Sequence, residues 1–271
     1  GSPLVSHPGV DLVSFTGGTV TGEKVAAAAA PAFKKLSLEL GGKNSSIVFA
    51  DCDMEKTVAG VVRSGFLNQG QVCLCGSRVL VEGPVYEEFE ERFVEAVEKM
   101  RVGDPSEEET DLGALISEQH LQKVQGYVEL AVEEGGRILT GGAPCMPSGF
   151  EGGNWMAPTV IADLPPESRC STEEIFGPVV TIHRFESEEE AIEISNGTRY
   201  GLAGSVWTGD LDKGRRVSEA METGMVWVNT WLHRDLRVPF GGVKDSGVGR
   251  EGGRWSLGFF SEAMNVCLKH D

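Results

Sequence analysis

With 271 residues, 41 of them acidic and 24 basic, the chain carries a formal net charge of −17. That charge repels phosphate backbones and anionic lipid, which argues against nucleic-acid binding and a membrane-surface role. The length suffices for a sizeable core, no apolar run approaches a membrane span, and the start lacks the charged-then-apolar pattern of a signal peptide.

Val10 to Phe15 is a short apolar run, Thr16-Gly17-Gly18 breaks it, and Gly22 to Ala30 reads as an Ala-rich helix ended by Pro31. Strand, glycine turn and helix in that order can aim backbone N–H groups at a phosphate, or form a tight connection with no ligand. Lys35 to Leu40 alternates as a strand does and leaves Glu39 at its end, beside Gly41-Gly42-Lys43. Strand Ile47–Ala50, helix Met54–Leu67, strand Arg78–Val81 and helix Val85–Met100 follow. This alternation predicts an α/β fold with a parallel-type sheet. Helix Ser117–Glu134, strand Val179–Phe185, a capping box of Ser187 and Glu190, and strands Ser205–Thr208 and Met225–Asn229 around a helix from Asp210 continue it. Gly103–Asp111 and Gly141–Gly153 read as loops.

The stretch Asn68-Gln69-Gly70-Gln71-Val72-Cys73-Leu74-Cys75 presents Cys73 on a small, polar approach. A catalytic cysteine needs access, free backbone donors and a setting that supplies thiolate, whereas an intracellular cysteine beside Leu is as a rule buried packing. Glu39 is the carboxylate that could activate water to release an acylated thiol, if partial burial raises its pKa. The competing reading of Glu39 is an ion pair with Lys34 or Lys35. Gly247-Val248-Gly249-Arg250-Glu251-Gly252 matches the dinucleotide fingerprint in letters only, because the chain ends too soon for the acid that should follow. Cys73 and Cys75 have no second close pair, so neither a structural zinc site nor any other metal is expected. The six cysteines are scattered rather than spaced as a disulfide framework. Free thiol chemistry then points to the cytoplasm. No Gly-x-Ser-x-Gly elbow supports a serine hydrolase.

Along essentially its whole length the chain resembles the aldehyde dehydrogenase superfamily. Phe15-Thr16-Gly17 is similar to the family's phosphate turn, Leu38-Glu39-Leu40-Gly41-Gly42-Lys43 to its glutamate motif, and Gly70-Gln71-Val72-Cys73 to its nucleophile motif. Glu173-Glu174-Ile175-Phe176-Gly177-Pro178 and Pro239-Phe240-Gly241-Gly242-Val243-Lys244-Asp245-Ser246-Gly247 complete an ordered set. The resemblance implies a mechanism in which the Cys73 thiolate attacks an aldehyde to form a thiohemiacetal. Hydride then passes to NAD, and Glu39 activates the water that hydrolyses the remaining thioester. The Cys73 N–H would stabilise the oxyanion by about 3 kcal/mol. The resemblance also implies a cofactor site of Thr16, Gly17, Gly18, Leu40, Glu174 on the ribose and Phe176 against the nicotinamide.

A narrower resemblance, carried by Asn229-Thr230-Trp231-Leu232-His233-Arg234-Asp235-Leu236, is to the branch that oxidises 2-aminomuconic and 2-hydroxymuconic semialdehydes. Arg234 is then the expected partner of the substrate's remote carboxylate, since a guanidinium binds it through parallel hydrogen bonds. The alternative is a surface arginine paired with Asp235 or Glu262.

Two positions depart from the family pattern: Gly18 stands where a serine is usual, and Asn44-Ser45-Ser46 lacks a proline. The match covers only the C-terminal part of the family's chain. It implies a partial Rossmann-like cofactor domain at Gly1 to Gly41, a catalytic domain at Gly42 to Gly241, a return segment at Gly242 to Trp255 and an oligomerisation strand at Ser256 to Asp271. The oxyanion asparagine and the adenosine-ribose contacts would lie outside it, so NAD binding by this piece is expected to be weak. A homo-oligomer, dimer or tetramer, is expected of the full-length protein. The competing function is a non-catalytic descendant that keeps the catalytic fold.

Overall fold

The computed structural model describes residues 1–271. The first part of the chain comprises α1 (Ser2–Ser6), β1 (Leu12–Thr16), α2 (Thr19–Ala29), β2 (Lys35–Glu39), β3 (Ser45–Val48), α3 (Met54–Phe66), β4 (Arg78–Glu82) and α4 (Tyr86–Glu98). The middle comprises α5 (Glu118–Glu133), β5 (Arg137–Thr140), β6 (Thr159–Ala162), α6 (Arg169–Thr172), β7 (Val179–Phe185) and α7 (Glu188–Asn196). Then come β8 (Tyr200–Gly201), β9 (Ala203–Trp207), α8 (Leu211–Ala220), β10 (Met225–Val228), β11 (Val243–Lys244), β12 (Gly247–Val248) and α9 (Gly253–Phe259).

Seven strands form the main sheet in the order β10-β9-β3-β4-β7-β6-β5. Its pairs are parallel except β5 with β6. β4 shows why its residues are apolar on consecutive positions. Val79 and Val81 face a cluster with Phe66, Phe89 and Phe93 from α3 and α4, while Leu80 faces Phe49, Phe185 and Val217 on the other side. A parallel sheet covered on both faces leaves no solvent side for polar residues. A smaller sheet, β1-β2-β12, carries α2, with Val25, Leu38 and Leu40 between them.

The expected helices and strands lie within a few residues of their predicted bounds. The capping box at α7 forms in altered geometry: Ser187 Oγ accepts from Glu190 N–H at 3.2 Å, but Glu190 Oε2 accepts from Glu186 N–H at 2.7 Å rather than from Ser187. β5 and β6 were not expected, being strands of only four residues each, too short to show a clear period of two. At the C-terminus, Ser256 to Phe259 is helical, not strand, and Met264 to Leu268 forms no strand and is exposed. Alternation alone does not make a strand without a partner for its N–H and C=O groups. All six cysteines are free thiols. No helix is long and apolar enough to cross a membrane.

Candidate active site

Leu40 to Asn44 carries the chain from the end of β2 in the small sheet to the start of β3 in the main one. Glu39, the last residue of β2, pairs with Thr16 on one side and Gly247 on the other. It is buried, and neither carboxylate oxygen has a hydrogen-bond partner. The expected alternative, an ion pair with a neighbouring lysine, does not form. Lys34 Nζ donates to the Val5 and His7 carbonyls, and Lys35 pairs with Glu262. Burial, and then the charge of Glu251, raises the Glu39 pKa to about 7, against a smaller opposing pull from Arg250. A carboxylate so tuned exchanges protons near neutrality.

Cys73 sits at the corner of a turn closed by Cys75 N–H donating to the Val72 carbonyl at 3.0 Å. The approach to it is left-handed at Asn68, Gln69 and Gly70, with φ of 52°, 57° and 69°. Gly70 has to be glycine for a second reason. A Cβ there would lie 2.0 Å from the Gly177 carbonyl oxygen, so the nucleophile loop packs directly on the chain after Phe176. The thiol is partly buried, and burial together with the Glu174 and Glu39 charges raises its pKa. A nucleophilic cysteine calls for a setting that supplies thiolate; without a ligand, this setting disfavours it.

Glu174, from the fourth motif, reaches the Gly41-Gly42 turn. Its Oε1 accepts from Gly42 N–H at 2.9 Å, and a Cβ on Gly41 would come within 2.3 Å of Oε2. A Cβ on Gly42 would come within 2.9 Å of the Cys73 carbonyl oxygen. Gly41 and Gly42 are therefore where Cys73 and Glu174 meet, two residues past Glu39. Phe176 is held at a positive φ of 61°. Thr16 and Gly17 end β1 opposite Glu39, and Gly18 caps α2 with open space where a side chain would project.

Two site neighbours carry no motif of their own in the sequence because they lie on a helix far away in the chain. From the first turns of α5, the His120 Nε2–H donates to the Phe176 carbonyl at 2.6 Å and Lys123 Nζ donates to the Glu174 carbonyl at 3.1 Å. Their spacing of three residues on one helix face is the only local signal. Lys43 stands out in sequence only as part of a motif. Its buried Nζ has no partner, and burial, then the charge of Arg78, lowers its pKa to about 7.

Arg234 makes no hydrogen bond or ion pair with this cluster. It lines a cleft of about 610 Å³ with Trp227, Phe240 and Glu251, and its guanidinium lies 4.5 Å from the centroid of the Phe240 ring. Neither expected ion pair forms: Asp235 is bound by Arg237 at 2.9 Å, and Glu262 by Lys35. The charge is exposed and free, and it slightly lowers the Cys73 pKa.

Residues 1–266 match the sequence profile described as the aldehyde dehydrogenase family. A 2-aminomuconic semialdehyde dehydrogenase of Mus musculus is 50% identical over 273 residues, covering 100% of this chain and 56% of that protein. A 2-hydroxymuconic semialdehyde dehydrogenase of Pseudomonas putida is 48% identical over 270 residues, covering 99% of this chain and 56% of that protein. The crystal structure of betaine aldehyde dehydrogenase from Staphylococcus aureus, solved with NAD+, superimposes with a TM-score of 0.92 at 39% identity, covering 94% of this chain and 51% of that one. The chain thus spans about half the length of the relatives it matches.

Proposed function

The chain belongs to the aldehyde dehydrogenase family, and from that premise we propose that it is the nucleophile-bearing part of an NAD-dependent dehydrogenase acting on a carboxylate-bearing aldehyde of the muconic semialdehyde class. The observation that carries this reading is the meeting of Cys73 and Glu174 on Gly41-Gly42, two residues past Glu39. A nucleophile loop and a cofactor-holding carboxylate packed against one short turn, with a buried base at the strand end just before it, suit a reaction that needs all three in register.

Cys73 Sγ attacks the aldehyde carbon, and the carbonyl electrons move to oxygen, where the Cys73 N–H stabilises them. That N–H donates to nothing within the chain. Burial and two carboxylates hold the thiol protonated, so a base has to take its proton as attack begins. Glu39, with a pKa raised to about 7, is suited to that and to the later step. Having passed that first proton to solvent, it removes one from the water that attacks the Cys73 thioester and returns it to the departing sulfur, releasing the acid and restoring the thiol.

The residues present fit a nicotinamide cofactor. Glu174 keeps Oε2 without a hydrogen bond in the chain, and His120 and Lys123 fix the backbone on either side of Ile175. Glu174 would hold a ribose, Phe176 would pack on the ring, Thr16, Gly17 and Gly18 would line the phosphate side, and Leu40, its side chain buried under α2, would offer its backbone carbonyl. NAD, when bound, supplies the hydride acceptor. Arg234 would take the remote carboxylate of the substrate. The division at Gly41, Gly241 and Trp255, the assembly of full-length protein into a homo-oligomer, and a cytoplasmic location belong to the same proposal.

The test is NADH formation from a muconic semialdehyde by the native full-length protein and by its Cys73→Ala form. Turnover that survives Cys73→Ala would sink the mechanism. No NADH from the native protein would favour a non-catalytic descendant.

A further inference from the structure

The carbonyls of Cys73, Leu74 and Cys75 are each taken by a side chain from elsewhere. Asn44 Nδ2 donates to the Cys73 carbonyl at 2.8 Å and to the Cys75 carbonyl at 2.9 Å, and Trp231 Nε1 donates to the Leu74 carbonyl at 3.1 Å. Asn44 and Trp231 are each only 4% exposed. The Asn44 amide cannot be reversed, because its Oδ1 accepts from the Ala203 N–H at 3.0 Å. Exchanging O for N would face two carbonyls with an acceptor and an N–H with a donor. A carboxamide is the side-chain group of this reach that offers two donors and an acceptor in one plane. Gly42 leaves room for it, since a Cβ there would lie 2.7 Å from Asn44 Oδ1.

In a trans peptide the N–H points opposite the C=O. With the Val72 carbonyl bound by Cys75 N–H and the Cys73 carbonyl bound by Asn44, the N–H groups of Cys73 and Leu74 turn the other way. Neither meets an acceptor in the chain. We propose that Asn44, assisted by Trp231, is the positioning residue of the nucleophile loop, drawing three successive carbonyls away from the thiol and leaving the N–H side of the turn to the reacting carbonyl group. The inference rests on the reading of Cys73 as the nucleophile. It also joins two distant segments to that residue: the β2–β3 connection through Asn44, and the loop bearing Arg234 through Trp231.

The test needs no cofactor. Residue-resolved mass spectrometry would follow iodoacetamide alkylation across a pH series in the 271-residue chain and in its Asn44→Ser, Asn44→Gln and Trp231→Phe forms, with Cys145 as internal reference. Released carbonyls can swing toward the sulfur and oppose its thiolate. The Cys73 alkylation midpoint in Asn44→Ser should therefore rise by about one pH unit, slowing the reaction on the order of tenfold at fixed pH. Trp231→Phe should show a smaller shift of the same sign, Asn44→Gln should fail to restore the profile, and Cys145 should react as before. An unchanged Cys73 midpoint in a folded Asn44→Ser form overturns the proposal; if that form does not fold, an unchanged midpoint in Trp231→Phe does so. NADH formation that survives Cys73→Ala in the full-length protein would instead remove the nucleophile reading, and this inference with it.

Discussion

The Gly42 N–H donates to Glu174 Oε1 at 2.9 Å. Through that bond the turn that leaves Glu39 ends on the carboxylate assigned to the cofactor, so two motifs separated by more than a hundred residues share one peptide group. Displacing either glycine of the turn moves a charged group rather than only a backbone.

Glycine substitutions should therefore separate stability from site geometry. Gly70→Ala sets a Cβ 2.0 Å from the Gly177 carbonyl oxygen at a φ of 69°, where the obstacle is backbone. We expect a loss of about 3 kcal/mol in urea unfolding. Gly41→Ala meets only the end of the Glu174 side chain, at 2.3 Å. It should cost about 1 kcal/mol, because the carboxylate can rotate away. In the full-length protein, however, it should weaken NAD binding more than Gly70→Ala does. Equal losses of stability, or unchanged NAD affinity in Gly41→Ala, would contradict this placement.

The pH dependence of stability should carry the signature of Glu39. Its pKa rises from 4.5 to about 7 on folding. The folded state thus binds the extra proton, and stability is lost as pH rises between those values. The shift corresponds to about 3 kcal/mol at its upper limit. Chemical denaturation from pH 4 to pH 8 should show the native chain losing stability relative to Glu39→Gln across that window. Parallel curves would mean that the Glu39 carboxylate is solvated.

Lys43 should act in the opposite sense. Its amine falls from 10.5 to about 7 on folding, so the unfolded state binds the extra proton and stability grows as pH rises through that window. Lys43→Met removes a buried cation with no partner and should stabilise the chain at pH 6 by on the order of 1–4 kcal/mol. It should also flatten the slope between pH 7 and pH 10. Destabilisation at pH 6 would show that the amine is paired.

Arg234 is testable through substrate choice. With Asp235 and Glu262 already engaged by other cations, its replacement should leave stability within about 0.5 kcal/mol. In the full-length protein, Arg234→Ala should raise KM on the order of tenfold or more for an aldehyde with a remote carboxylate, and little for a plain aliphatic aldehyde. Equal effects on both substrates would remove the carboxylate role.

Much of the site is legible in the order of residues alone. Glu39 can be placed at a strand end because Lys35 to Leu40 alternates ahead of two glycines, and Cys73 stands out by its polar approach. The ordered motifs then tie both to Glu174 and Phe176. What alternation cannot convey is pairing, as Met264 to Leu268 shows: a period of two describes a strand that has partners, and those five residues have none here.

Asn44 makes the same point within the site. In sequence it is the residue after a lysine, notable only for the proline that does not follow it. Its two donors and one acceptor gain meaning when Cys73, Cys75 and Ala203 arrive from other parts of the chain. Local order of residue types determined the fold class, the family and the chemical groups available, because backbone propensity and motif spacing act over short distances. Only the tertiary structure decided that Glu39 stays unpaired, that Arg234 is free, and that the nucleophile's carbonyls are held from two sides. Those outcomes depend on burial and on hydrogen-bond partners, which a sequence cannot bring together until it folds.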